Sequence, residues 1–193
     1  PQREMPLQLY MAESNHNLET LAENVNRQLQ RTGRCIVVVN EGFDVGNIGE
    51  AYDGFGHIEY GASKMTAAQA VTNYLNEVGL KARGQATCQV PGVLQRCTSI
   101  HASKVDIDEA YEVGKKAVEI AMKEGTGWMA TILRAPGSQY KAIFDKVPLE
   151  TVANSVRYMP SNWITKDGID VTDDFINYAM PLIGDGWPEI PLE

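Results

Sequence analysis

The sequence has few of the features that mark secreted or membrane-spanning proteins. Only 3 of its 193 residues are cysteine, and an odd number of thiols does not fit a framework of paired disulfides. No apolar run approaches the roughly 20 residues that a helix needs to cross a bilayer, and residues 1–5 carry no signal-peptide segment. We therefore expect a protein of the reducing cytoplasm that has no membrane partner.

Basic charge is also scarce. The sequence holds 17 lysines and arginines against 25 aspartates and glutamates, which gives a net charge of -8. The phosphates of a nucleic acid would be repelled unless basic residues clustered strongly on one face. The pair Lys115-Lys116 lies among acids and indicates a solvated helix face, so no nucleic-acid partner is expected.

Motifs for metals and nucleotides are incomplete. Four carboxylates follow one another near the C-terminus: Asp167, Asp170, Asp173 and Asp174. They lack the glycine and glutamate of a calcium loop, and capping of the last helix is the alternative. Cys88, Cys97 and His101 lack the close-spaced ligand pairs of a zinc site. The glycines at 54, 56 and 61 miss the dinucleotide spacing, and no Walker loop is present. We expect no metal ligands in this chain.

The apolar content of 44% is sufficient for a packed core, and its pattern predicts an α/β fold. Leu7 to Met11 indicates a short strand, a helix with apolar residues at three-and-four spacing closes at Gly33, and Cys35 to Val39 indicates a buried strand. Such a βαβ unit places its two strands parallel. We expect an open parallel or mixed sheet with helices on both faces.

Further elements follow from capping and periodicity. The predicted elements are a helix from Thr66 to Gly79, a strand from Lys81 to Val90, a helix from Asp106 to Gly125, a strand from Trp128 to Leu133, a weaker strand from Tyr140 to Phe144, a short helix from Leu149 to Asn154 and a last helix from Thr172 to Leu182. The third predicted helix should bury Ala110, Val113, Ala117, Ile120 and Ala121. Phe43 to Gly61 indicates a long irregular loop.

A carboxylate directly follows the strand that ends at Val39. Ligands of open α/β sheets lie beyond the carboxyl ends of the strands, and Glu41 occupies that position. A carboxylate there can accept hydrogen bonds from sugar hydroxyls. The alternative is that Glu41 caps a nearby helix or faces solvent.

Three cationic or imidazole side chains occupy one segment, Gly92 to Lys104. Arg96 offers a planar fork of donors that can bind two phosphate oxygens, while His101 and Lys104 can add further donors. The segment therefore suits a phosphate group. The alternatives are a solvated surface arginine, packing of His101 at the start of a helix, and Ser103 as a helix cap. Arg157 and Tyr158 form a further polar, aromatic patch that surface packing would explain.

These motifs resemble a known family. The runs Val37-Val38-Val39-Asn40-Glu41-Gly42 and Gly92-Val93-Leu94-Gln95-Arg96 resemble the phosphofructokinases, and His101-Ala102-Ser103-Lys104 is most similar to the pyrophosphate-dependent branch. Gly56-His57-Ile58, the strand Met129 to Arg134 and the turn Val147-Pro148-Leu149 occur in the family's order. The resemblance covers nearly the whole chain but only the family's C-terminal, fructose-phosphate-binding half.

The resemblance implies a phosphotransferase acting on fructose 6-phosphate in glycolysis. Glu41 would orient the sugar hydroxyls, while Arg96, His101 and Lys104 would hold the 6-phosphate, although many members carry arginine where Lys104 stands. Pyrophosphate is the expected donor and ATP the alternative. Mg²⁺ would be bound mainly outside this chain, and the full-length enzyme would form a homo-oligomer, either a dimer or a tetramer.

The family's donor loop and its aspartate base have no counterpart in the sequence. We therefore expect a portion of a longer polypeptide, with residues 1–134 as a fructose-phosphate-binding domain and residues 135–193 packing on a donor-binding domain that lies elsewhere. No catalytic residue is expected in the chain, which alone would be inactive. The alternative is a non-catalytic sugar-phosphate-binding or regulatory α/β module.

Overall fold

A computed structural model describes residues 6–46 and 65–184. Most of the predicted loop from Phe43 to Gly61, with the Gly56-His57-Ile58 motif, lies outside the described residues. The chain divides into two compact units. The first takes its described residues from Pro1–Gly92 and Met159–Phe175, and the second takes its described residues from Val93–Tyr158 and Ile176–Glu193. The functional division predicted at residue 134 is a separate matter and stays a prediction.

The first unit begins with the predicted βαβ unit. Strand β1 (Leu7–Tyr10) and strand β2 (Ile36–Val39) are parallel, and helix α1 (Leu18–Thr32) connects them. Helix α1 begins where it does because Asn17 and Thr20 satisfy each other's backbone N–H groups, both at 3.0 Å. It ends at Gly33, whose φ of 72° favours glycine. The βαβ prediction is confirmed.

The core of the first unit lies between these elements and helix α2 (Ala67–Val78). Its buried members are Tyr10, Leu21, Ala22, Val25, Phe43, Val71 and Leu75. Only one face of β2 contacts this core, because Ile36 and Val38 are 42% and 51% exposed. The prediction of a buried strand therefore holds for one face of β2 and is wrong for the other.

Helix α2 confirms the predicted capping box. The side chain of Thr66 accepts from the N–H of Gln69, and the side chain of Gln69 accepts from the N–H of Thr66. Gly79 ends the helix, as the sequence predicts.

The strand predicted from Lys81 to Val90 is absent, and the described chain there is irregular. Asparagine side chains take the place of a strand ladder. The side chain of Asn76 donates to the carbonyl of Ala86 at 3.0 Å and accepts from its N–H at 2.8 Å. Asn26 accepts from the N–H of Lys81 at 2.7 Å. Side chains thus satisfy three backbone groups of this segment that a strand would pair with a neighbouring strand.

The second unit contains the remaining elements. These are α3 (Leu94–Cys97), α4 (Lys104–Glu124), β3 (Trp128–Arg134), β4 (Ala142–Pro148), α5 (Leu149–Val152) and most of α6 (Asp173–Ile183). Strands β3 and β4 are antiparallel, with Trp128 opposite Pro148 and Arg134 opposite Ala142. The described strands thus form one parallel and one antiparallel pair. The α/β class is confirmed, and the described strands belong to two separate sheets.

Helix α4 begins one turn earlier than predicted. Ser103, not Asp106, is its cap: the Ser103 hydroxyl accepts from the N–H of Asp106 at 3.3 Å and donates to the carbonyl of Leu182 at 2.6 Å. The predicted buried stripe is also largely wrong, since Ile120 is its one buried member and Ala110, Ala117 and Ala121 are exposed. None of the helices within residues 6–46 and 65–184 is both long and apolar enough to cross a membrane.

An arginine clamp secures α6 to β3 within the second unit. The guanidinium carbon of Arg134 lies 4.6 Å from the ring centre of Tyr140 and 4.2 Å from that of Tyr178. Its Nη2 donates to the carbonyl of Tyr178 at 2.6 Å. Burial raises the pKa of Tyr140 to about 12, and the hydrogen bond from its hydroxyl to Glu109 acts in the same direction.

Candidate functional site

The turn that carries Glu41 is fixed by the residue before it. The N–H of Asn40 donates to the carbonyl of Tyr10 at 2.9 Å, which continues the β1–β2 pairing beyond Val39. The Asn40 side chain accepts from the N–H of Gly42 at 2.8 Å, and its carbonyl accepts from the N–H of Phe43 at 3.0 Å. Asparagine commonly stabilises turns in this way. The backbone around Glu41 is therefore held from both sides.

The residue after the turn anchors it to the core. Phe43 is 3% exposed, and its ring meets that of Tyr10 edge to face with centroids 5.6 Å apart. Glu41 is exposed, and no hydrogen bond or ion pair joins it to another residue of 6–46 or 65–184. A rigid turn thus presents a carboxylate just beyond the carboxyl end of a parallel strand, where the sequence predicts it.

The cationic segment lies in the second unit from Val93 onward. Gly92, at a φ of 55°, precedes helix α3, which contains Arg96. The Thr98 hydroxyl donates to the carbonyl of Leu94 at 2.7 Å and closes this short helix. A 3-10 turn, Ser99–His101, then leads into α4. The segment therefore has a defined backbone from Val93 to Lys104.

His101 and Lys104 are both exposed at the end of this segment. Lys104 is the first residue of α4, and its ammonium group pairs with Asp108 one turn later. Their side chains are 83% and 60% exposed, and such surface pairs contribute little to stability. The pair leaves Lys104 able to turn towards an anionic ligand.

The structure places the four predicted site residues in two groups. Arg96, His101 and Lys104 share one continuous segment of the second unit, while Glu41 belongs to the first unit. The roles of all four residues, and the convergence of Glu41 with Arg96, stay predictions.

No metal cluster forms among residues 6–46 and 65–184, because no three His, Cys, Asp or Glu side chains converge there. The aspartates near the C-terminus have other partners. Asp167 accepts from the Thr165 hydroxyl at 2.6 Å, and Asp174 accepts from the Asn162 side chain at 3.1 Å. These carboxylates stabilise the chain leading into α6.

A polar cavity in the first unit is not predicted by the sequence. It has a volume of about 230 Å³, and Glu13, His16 and Lys166 are among its lining residues. The His16 ring lies 2.7 Å from the carbonyl of Asp167 and 3.1 Å from the Thr20 hydroxyl. Because its members are about 150 residues apart in sequence, no local motif could have indicated it.

Comparison with known proteins finds similar sequences and similar structures. No protein-family model matches the chain. A curated relative, pyrophosphate–fructose 6-phosphate 1-phosphotransferase of Rhodospirillum rubrum, is 34% identical over 95% of the chain and 46% of its own length. The crystal structure of pyrophosphate-dependent phosphofructokinase from Nitrosospira multiformis matches 99% of this chain and 44% of its own, with 31% identity and a TM-score of 0.72. A sulfofructose kinase of Alkalicoccus urumqiensis is 29% identical over 82% of the chain and 40% of its own length.

These matches show that the chain is homologous to the phosphofructokinases. Within that class its resemblance is to the pyrophosphate-dependent enzymes, as the sequence motifs predict. The chain spans between 38% and 46% of the length of the curated relatives it matches.

Proposed function

We propose that this chain is the substrate-binding portion of a 6-phosphofructokinase that phosphorylates the 1-hydroxyl of fructose 6-phosphate with pyrophosphate. Two facts support the division of labour. The homologous region covers 95% of the chain but only 46% of the Rhodospirillum rubrum relative, and the family's donor loop and aspartate base are missing from the sequence. The base and the donor site would therefore lie in the rest of the full-length polypeptide.

The turn of Glu41 is the observation that carries the proposal. Its backbone is fixed by Asn40 and Phe43, so the carboxylate can accept hydrogen bonds from sugar hydroxyls without first ordering a loop. Preorganised groups of this kind orient a substrate at low entropic cost. Glu41 orients the fructose hydroxyls in this proposal.

The cationic segment supplies the phosphate site. Arg96 binds two oxygens of the 6-phosphate through its guanidinium fork, and the exposed His101 and Lys104 add donors at the other end of the segment. A phosphate monoester carries a charge close to -2 at neutral pH. Several donors are therefore needed to offset it.

Phosphoryl transfer requires the acceptor hydroxyl, the donor phosphate and offsetting positive charge in one line. This chain contributes the acceptor side of that arrangement. Mg²⁺, which the family relationship implies, is proposed to be held mainly outside this chain. The full-length enzyme is proposed to be a homo-oligomer, dimer or tetramer, that works in cytoplasmic glycolysis.

A coupled assay tests the proposal. The full-length protein should turn over fructose 6-phosphate with pyrophosphate, with ATP as the comparison donor, and the 193-residue chain alone should be inactive. Strong turnover by the chain alone would contradict the division of labour. Sugar-phosphate binding by the full-length protein without turnover on either donor would favour the non-catalytic module instead.

A second substrate follows from the sulfofructose kinase among the relatives. A sulfonate offers three acceptor oxygens but a single negative charge, so it needs fewer cationic partners than a phosphate. The full-length protein should be assayed with both sugars. A preference for sulfofructose would move the assignment to that activity, whereas a preference for fructose 6-phosphate supports the site built on Arg96, His101 and Lys104.

A further inference from the structure

Helix α4 has two apolar sides, of which its own unit covers one. Ile120 is 5% exposed, Val113 is half-buried, and both lie on the side that faces strands β3 and β4. On the opposite side stand Ile107, Tyr111, Val118 and Met122, which are 57%, 68%, 59% and 82% exposed. Their spacing of four, seven and four residues places them on one side of the helix.

Small residues widen this second side. Gly114 lies halfway along α4 between Tyr111 and Val118, and no atom comes within 4 Å of the position that a Cβ would take there. Ala110, Ala117 and Ala121 are exposed next to it. We call the set Ile107, Ala110, Tyr111, Gly114, Ala117, Val118, Ala121 and Met122 the outer face of α4. A glycine at its centre permits close approach of another backbone.

A contiguous apolar patch of this kind is unusual on the solvent-exposed surface of a soluble protein. Such patches mark interaction sites. The second unit also has a small core: Ile120 is its one buried apolar residue in the described parts of the chain. Its described strands form a single two-stranded sheet, and α4 packs against it. A segment that covered the outer face would therefore add to the core of this unit.

We propose that the outer face of α4 is covered by a segment of the same full-length polypeptide that lies outside residues 1–193 and packs there through apolar side chains. This inference rests on the proposed function, which makes the chain one portion of a longer enzyme. The relatives supply the scale, since the chain accounts for only 46% of the length of the Rhodospirillum rubrum protein. More than half of such a polypeptide remains to provide the covering segment.

A second copy of this chain fits the outer face less well. The net charge of -8 on each chain opposes the pairing of two copies through this face. None of the residues of the outer face is charged, so no salt bridge across such a pair would offset the repulsion.

Site-specific photo-crosslinking in the full-length protein tests the proposal. Tyr111 is replaced by the photoreactive p-benzoylphenylalanine, which preserves an aromatic ring at that position. The matched control places the same group at Glu119, which is exposed on the charged side of α4. After irradiation, peptide mapping identifies the attached residues, and denaturing electrophoresis separates links within one copy from links between copies. We expect several-fold more cross-linking at position 111 than at position 119, within one copy and to residues outside 1–193.

Three results would overturn the inference: products of doubled mass that join two copies, links to other residues of 1–193, or equal yields at positions 111 and 119. A phosphotransferase assay on the same preparation keeps the two proposals apart. An active enzyme without the expected cross-link refutes the covering segment and leaves the proposed function standing. The expected cross-link in an inactive protein supports the covering segment and refutes the proposed function.

Discussion

The two compact units differ in how far each completes its own core. Of the ten buried apolar residues among those described, nine lie in the first unit, and Ile120 alone lies in the second. The turn of Glu41 therefore stands on a self-contained base that includes Tyr10 and Phe43. The segment of Arg96 belongs to a unit that depends on packing from elsewhere. The two parts of the proposed sugar-phosphate site thus rely on different sources of stability.

The largest effect is expected from one of two alanine substitutions in the 193-residue chain, one in each unit. Leu21 is fully buried, so Leu21→Ala should lower the free energy of unfolding by about 2–5 kcal/mol, through lost burial and the cavity left behind. Met122 is 82% exposed, and Met122→Ala should change the free energy of unfolding by no more than about 0.5 kcal/mol. Denaturant unfolding measures both. Equal losses would show that the units do not differ in this way.

A pair of glycines tests the packing around His16 in the first unit. Gly33 and Gly168 have nearly the same φ, 72° and 71°, so alanine should cost about 1–2 kcal/mol at each from backbone strain. At Gly168 the new Cβ would also lie 2.8 Å from Nε2 of His16, whose ring is held by two hydrogen bonds. Thermal unfolding should therefore show a larger loss for Gly168→Ala than for Gly33→Ala. Identical losses would mean that the His16 ring moves freely aside.

Ser103 tests the second unit, where one hydroxyl both caps α4 and binds α6. Ser103→Ala should destabilise the full-length protein by about 1 kcal/mol, the usual cost of a lost helix cap. Ser155→Ala is the control, because that hydroxyl donates to a carbonyl three residues away in an exposed turn. Denaturant unfolding is the measurement. A Ser103 variant no less stable than the Ser155 variant would argue against the cap.

The smallest expected effect concerns thiol reactivity and not stability. Burial raises the pKa of the Cys35 thiol in the first unit to about 11, whereas Cys97 in the second unit is exposed. The reactive thiolate of Cys35 is therefore depleted roughly a hundredfold at pH 8 relative to an ordinary thiol. Alkylation of the 193-residue chain, followed by mass spectrometry, should modify Cys97 first and Cys35 much later. Similar rates would contradict the burial of Cys35.

Much of the first unit could be predicted because its signals are local. The βαβ unit follows from apolar spacing between Leu18 and Leu29 with a glycine stop, and α2 follows from the capping box of Thr66 and Gln69. Each signal depends on residues only a few positions apart, so no knowledge of the tertiary structure is needed to use it.

Partners distant in sequence account for part of what was not predicted. In the segment predicted as a strand, Asn26, more than fifty residues before Lys81, and Asn76 hydrogen-bond to the backbone of Lys81 and Ala86. Ser103 is a cap that the sequence suggests as an alternative, but its second hydrogen bond, to Leu182 at the other end of the second unit's sequence, leaves no local signal. The buried stripe of α4 was misjudged because both sides of this helix are apolar, and periodicity alone does not say which side faces the sheet.

The candidate site divides in the same way. The position of Glu41 beyond a strand could be predicted, because strand ends are visible in the sequence and the turn is closed by its neighbour Asn40. The convergence of Glu41 with Arg96 could only be inferred from the family resemblance, since it depends on contacts between residues far apart in the chain.

The most direct test of the sugar-phosphate site is the Michaelis constant for fructose 6-phosphate in full-length Glu41→Gln and Arg96→Ala variants, with Lys123→Ala as an exposed control on α4. A hydrogen bond to a charged group contributes about 1.5–3 kcal/mol, so each site variant should raise this constant roughly 10-fold to 100-fold. The Michaelis constant for pyrophosphate should stay unchanged in the site variants. The Lys123→Ala control should keep both Michaelis constants unchanged. An unaltered constant for fructose 6-phosphate in either site variant would remove that residue from the site and contradict the proposed convergence.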